Sequence, residues 1–211
     1  MLKKLSVEEF INKLSSEEPA PGGGGVAALS AALASSLNSM VYSLTVNKKA
    51  FNNLSDNDKK IVLTSYEKSK ELSGLFLEYI ERDKEAYLGV INAYKMKKDT
   101  DDEVRIRKQT IDRALEQAML IPFELAKTAC EFYEEIETAL KFGNKNLIAD
   151  VAVAAVMMNA AVESSIVNVK VNLRSLNKNG EFKFIEEKTH KYYEKSLIMK
   201  NEILNSIDFL K

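Results

Sequence analysis

The sequence predicts an all-α fold, a single-domain helical bundle over residues 1–211 with two central helices rich in small residues. Three observations carry this expectation. Apolar residues recur at helical spacing along nearly the whole chain. Strand-like alternation is confined to the VNVKVNL run ending at Leu173, and one strand would have no partner elsewhere. Two long stretches, 19–47 and 147–173, are almost free of charge, although 29% of the chain is charged. No linker or internal repeat divides the chain.

Taken in order, Ser6 and Glu9 have the capping-box spacing, and Val7, Phe10, Ile11 and Leu14 form an apolar stripe. This short helix ends before Pro19. Pro19 and Pro21 hold the chain extended, and Gly22, Gly23, Gly24 and Gly25 let it turn without side chains. A helix then runs to about Lys48. Ala27, Ala31, Ser35, Ser39 and Ser43 give it a ridge of small residues, beside an aliphatic ridge of Leu29, Leu33, Leu37 and Val41. Its unpaired first amides suit an anion or an electron-rich ligand. The alternatives are a membrane span, a dinucleotide fingerprint at Gly22, Gly24 and Ala27, and a turn that only lets two elements cross. The serines, Asn38 and the following Lys48 and Lys49 weigh against the span, and Pro-Ala-Pro is a poor strand end for the fingerprint.

Asn52, Asn53, Ser55 and Asp56 read as a turn and cap. A long amphipathic helix follows to about Met96, with Ile61, Tyr66, Leu72, Leu75, Phe76, Tyr79, Ile80, Tyr87 and Ile91 as its apolar positions. After a polar break at 97–102, a helix from about Glu103 turns Ala114, Ala118 and Leu125 inward. Pro122 is expected to kink or restart it, and Gly143 with the GNKN segment to close it. Residues 147–173 make the second small-residue helix, with Asp150 at its entrance. A turn at Asn177, Asn179 and Gly180 leads to a charged last helix with Phe184, Tyr192, Leu197, Ile203 and Leu204. Two uncharged helices exceed what one small bundle buries, so a C2 homodimer is expected.

Charge and chemistry narrow the function. Thirty Lys and Arg against 31 Asp and Glu leave a formal charge of −1, so bulk charge indicates neither a nucleic-acid nor a membrane partner. Cys130 is the sole cysteine and His190 the sole histidine, which leaves no zinc site of the usual kind, so no metal is expected. His190, among Lys188, Lys191 and two tyrosines, reads as a surface residue. A lone cysteine and a start without a signal-peptide pattern lead to an expected cytoplasmic location.

PAPGGGGVAALSAALASSLNSMV, followed by the lysine pair, resembles the signature of the formiminotransferase-cyclodeaminase family. Further resemblances, in order, are Asp83-Lys84-Glu85-Ala86-Tyr87, Ala114 to Pro122, Gly143-Asn144-Lys145-Asn146, Asp150, and Asn168-Val169 with Asn172-Leu173. They cover the chain from Leu5 to about Asn172. Gly25 and Ala149 depart from it, standing where many relatives have serine.

The resemblance implies an all-helical homodimeric enzyme of folate one-carbon metabolism with no tightly bound cofactor. Such an enzyme closes 5-formiminotetrahydrofolate to 5,10-methenyltetrahydrofolate with loss of ammonia. The alternatives are hydrolysis of the methenyl form by a cyclohydrolase on the same scaffold, and a non-enzymatic helical module. Both reactions pass through an amidinium centre that a buried carboxylate can stabilise and serve with protons. Asp150 is the first expected catalytic carboxylate and Asp83 the second. A helix-terminal charge and a solvated face are the respective plain readings. Gly22–Gly25, Lys48, Lys49, Tyr87, Asn144, Asn146 and Asn168 are the expected substrate-binding positions, the glycine amides and lysines holding a folate glutamate or polyglutamate tail. Helix rise separates the lysines from the glycines by about 35 Å, and Asn168 from Asp150 by about 27 Å. Each pair therefore serves different parts of the site, or meets through a partner subunit.

Overall fold

Ser6 starts the first helix, α1 (Val7–Leu14), with the expected reciprocal cap: Glu9 N donates to Ser6 Oγ at 3.2 Å, and Ser6 N to Glu9 Oε2 at 2.7 Å. The computed structural model describes residues 1–46, 48–176 and 181–207; the turn expected at Asn177, Asn179 and Gly180 lies outside them. In α1 only Phe10 is buried, and Val7 and Ile11 face outward.

Helix α2 (Gly23–Ser43) begins inside the glycines rather than after them. Ala27, Ala31 and Ser35 of the small ridge are fully buried, and Ser35 Oγ bonds back to Ala31 O at 2.9 Å. The aliphatic ridge divides: Val41 is buried, while Leu33 faces outward. One turn, α3 (Lys49–Asn52), leads to α4 (Asp56–Tyr94), which Ser55 caps at Asp58 N. Phe76, Tyr79 and Ile80 of α4 are buried as expected, but Ile61 is exposed and its neighbour Val62 takes the core position. Close approach of α2 and α4 is possible because small polar groups meet: Ser36 Oγ and Ser73 Oγ lie 2.6 Å apart, and Asn38 Nδ2 donates to Ser69 Oγ at 3.3 Å.

Helix α5 (Asp101–Glu131) has a second reciprocal cap at Thr100 and Glu103, and it runs unbroken through Pro122. The break falls instead at Phe132, a buried ring edge-on to Phe76, where α6 (Tyr133–Phe142) starts. Gly143 ends α6, where a methyl group would overlap the Ala139 carbonyl. Helix α7 (Ile148–Leu176) takes in the whole VNVKVNL run, so the helical reading of that segment holds. In α8 (Lys183–Asn205), Ile185 enters the core and Phe184 stays in solvent, one position away from the expectation.

The centre of the bundle is α2, packed against α4 on one side and α7 on the other. It runs antiparallel to both: its glycine end meets Asp83 of α4 and Asn168 of α7, and its far end meets the Gly143–Asn144 turn. Buried tyrosines tie the layers. Tyr42 OH donates to Glu135 O at 2.5 Å, and Tyr133 OH to Ala155 O at 3.0 Å. Both α2 and α7 are long and apolar enough to cross a membrane, but here their small-residue faces form the core. Their outer faces carry exposed Leu33, Met40, Val153, Val156, Val167 and Val171.

Candidate functional site

A cavity of about 310 Å³ opens at the glycine end of α2. Gly22, Gly23 and Gly24 form its floor, Asp83 and Tyr87 reach it from α4, Ala118 from α5, and Asn168 and Asn172 from α7. The seat of the Asp83 carboxylate against α2 depends on the missing side chain of Gly24, because a methyl there would overlap that carboxylate. Asp83 is half-buried, and burial pushes its carboxyl up to about 6. The Gly25 amide donates to the carboxylate and works in the opposite direction, without cancelling the effect of burial. Asp83 is thus a carboxyl that both holds and releases a proton near neutrality.

The positions named from sequence fall into two groups. Gly22, Gly23, Gly24, Asp83, Tyr87 and Asn168 meet at this cavity, and Gly25 lies one residue behind it, against Pro21 and Ile80. Lys48, Lys49, Asn144, Asn146 and Asp150 lie at the opposite end of the bundle, where α2 finishes and α7 begins. There Asn144 has structural bonds: its N–H donates to Thr45 Oγ1 at 2.8 Å, and its side chain accepts from Asn146 N at 3.1 Å. Asp83 and Asp150 do not share a site within one chain, since α7 puts about 27 Å between Asp150 and Asn168. His190 is exposed, 3.3 Å from Glu194, and lies outside the cavity. Among the described residues, no group of three or more His, Cys, Asp or Glu is arranged to hold a metal ion.

Asn172 was missing from the expected binding positions. The signal was present in its spacing, one turn beyond Asn168 on the same face of α7. Its Nδ2 donates to Ala118 O at 2.7 Å, while Asn168 Nδ2 donates to Ser164 O at 2.8 Å.

A titratable carboxyl beside amide groups, in a cavity between four helices of a bundle, defines a small-molecule site suited to proton transfer. Residues 6–191 match the formiminotransferase-cyclodeaminase family, and the chain belongs to it. A methenyltetrahydrofolate cyclohydrolase from Methylorubrum extorquens is 35% identical over 171 residues, covering 81% of this chain and 80% of the relative. A formimidoyltransferase-cyclodeaminase from Mus musculus is 29% identical over 189 residues; the match takes in 90% of this chain but 34% of that longer protein. The fold is that of a formiminotetrahydrofolate cyclodeaminase from Thermotoga maritima, with a TM-score of 0.85, 24% identity and coverage of 100% and 99% of the two chains.

Proposed function

We propose that the chain is a folate one-carbon enzyme that cyclises 5-formiminotetrahydrofolate to 5,10-methenyltetrahydrofolate with release of ammonia. The observation that carries this reading is Asp83, a carboxyl raised to about 6 inside the cavity. In cyclisation N10 attacks the formimino carbon, and the departing nitrogen must leave as ammonia. That nitrogen takes one proton from N10 and one from protonated Asp83, and the carboxylate left behind faces the methenyl cation. Catalysis is therefore assigned to Asp83 in preference to Asp150.

Hydrolysis of the methenyl form is the second reading, favoured by the length-matched cyclohydrolase relative. There the ionised Asp83 takes the proton of attacking water. Methenyltetrahydrofolate absorbance tests both directions. Its appearance from the formimino substrate supports the first reading, and its accelerated decay supports the second. Absorbance that the protein leaves unchanged in both directions overturns the enzymatic reading.

The same proposal takes the protein to be a cytoplasmic homodimer. The exposed apolar faces of α2 and α7 pair with a second copy, through a two-fold axis that crosses the helices and exchanges their ends. No lysine or arginine lines the cavity among the described residues, although folate carries an anionic tail. An end-exchanging dimer brings the exposed Lys48 and Lys49 of the second copy to the cavity mouth, where they hold that tail.

A further inference from the structure

Pro122 has no N–H, so the carbonyl of Ala118, four residues earlier in α5, loses its helical donor. Asn172 supplies the replacement from α7, its Nδ2 donating to Ala118 O at 2.7 Å. A carbonyl oxygen only accepts, so this bond fixes which way the Asn172 amide faces. The bond from Asn168 Nδ2 to Ser164 O fixes Asn168 in the same manner. Both side chains line the cavity, and no hydrogen bond joins either Oδ1 to another described residue. The two amide oxygens make the α7 wall of the cavity a wall of acceptors, and the Asp83 carboxyl reaches the same cavity from α4.

We infer that Asn172 determines specificity: its Oδ1 accepts from an N–H on the substrate's ring, and the missing donor at Pro122 holds it in that orientation. The ligand chemistry is a nitrogen heterocycle with N–H donors along one edge, as in the reduced pterin ring. The inference rests on the folate reading and extends it to a residue that the proton transfer does not use. A ring offering only acceptors on that edge would set oxygen lone pairs against Oδ1, and the wall would reject it.

The test is a cycle of Pro122→Ala and Asn172→Ala, read by calorimetric titration with tetrahydrofolate and by thermal unfolding. Pro122→Ala restores a backbone N–H that bonds Ala118 O within α5, so in that background Asn172 has no capping task. The expected result is that Asn172→Ala leaves Tm unchanged in that background. In the unmodified chain it should weaken tetrahydrofolate binding about tenfold, the scale of one lost hydrogen bond to ligand, and by less where nothing holds its amide. If affinity changes in neither background, Asn172 is only a cap and the inference is overturned. A second measurement compares tetrahydrofolate with an analogue N-methylated on the donor edge. The unmodified chain should prefer tetrahydrofolate, and Asn172→Ala should reduce that preference; an equal preference in both overturns the inference. Absence of any tetrahydrofolate binding by the unmodified chain is a different failure: it overturns the folate reading, and this inference with it.

Discussion

The two ends of the bundle are built from similar residues and do different work. At the end where α2 finishes, polar groups satisfy one another. Asn144 bonds to Thr45 and to Asn146, and Lys145 Nζ donates to Leu140 O at 2.8 Å. At the glycine end, two asparagines bond to backbone carbonyls through nitrogen only, and a half-buried aspartate has the Gly25 amide as its partner. Polar groups that close on themselves hold a turn, whereas polar groups left facing a cavity can hold a ligand. The presence of Asn, Lys and Asp in a segment does not distinguish these two cases; their bonding does.

The sharpest way to break this contrast is to neutralise one aspartate at each end. Asp83→Asn should keep the fold and lower kcat by about a hundredfold or more, the scale for losing a general acid-base group. Asp150→Asn should stay within about tenfold of the unmodified kcat. The reverse order in steady-state assays would return the catalytic role to Asp150 and leave the cavity carboxyl without one.

Much of the fold was legible because its signals are local. The Ser6–Glu9 cap needs only four residues, and it formed as expected; Thr100 and Glu103 have the same spacing, in a segment read only as a polar break. The break at Phe132 carries no glycine or proline, so nothing in the sequence marks it. Pro122 suggested a break, yet Asn172, 50 residues later, bonds the carbonyl that Pro122 leaves free, and α5 continues. Asp83 was harder to rank than Asp150 because its neighbours, ERDKE, are charged. The missed signal was helical phase: Asp83 follows Phe76, Tyr79 and Ile80 by seven, four and three residues, on the buried stripe of α4. The glycine floor was legible as an open helix start, but its pairing with Asp83 is a long-range contact.

The proposed dimer offers a second test, in which the two ends act together. Lys48→Glu with Lys49→Glu should raise KM for a polyglutamylated substrate about tenfold, with little change in kcat. Mixing that variant with Asp83→Asn should recover activity, because one site of each mixed dimer then has its own Asp83 and a second copy's lysines. Activity at substrate concentrations well below KM that stays at the sum of the two separate variants after exchange, with mixed dimers verified by mass, would show that each subunit's site is its own.

A smaller and graded effect comes from pH. Burial raises Asp83 to about 6, so the acid form prevails below that pH and the carboxylate above it. For ammonia release the acid form is required, and kcat/KM should fall about tenfold per unit as pH rises beyond 6. For methenyl hydrolysis the carboxylate is required, and kcat/KM should instead rise through the same value and level off. The sign for stability is separate. A raised carboxyl contributes stability below the unfolded value near 4, and that contribution is lost as pH rises through about 6. A pH profile with no inflection near 6 in either direction would remove Asp83 from the rate-determining proton transfer.

The smallest expected effect lies at the closed end and tests whether that end is purely structural. Asn144 links α2 to the turn before α7 through its backbone bond to Thr45 and its side-chain bonds to Leu44 O and Asn146 N. Asn144→Ala keeps the backbone bond and removes the two side-chain bonds. The turn is partly exposed, so water replaces much of what is lost, and the cost should be about 1 kcal/mol. Thermal unfolding should show that loss, while KM and kcat at a temperature below the transition stay unchanged. If Asn144→Ala left stability intact but raised KM, the GNKN segment would bind substrate after all. The division between a self-satisfied end and a ligand-facing end would then fail at the residue that defines it most clearly.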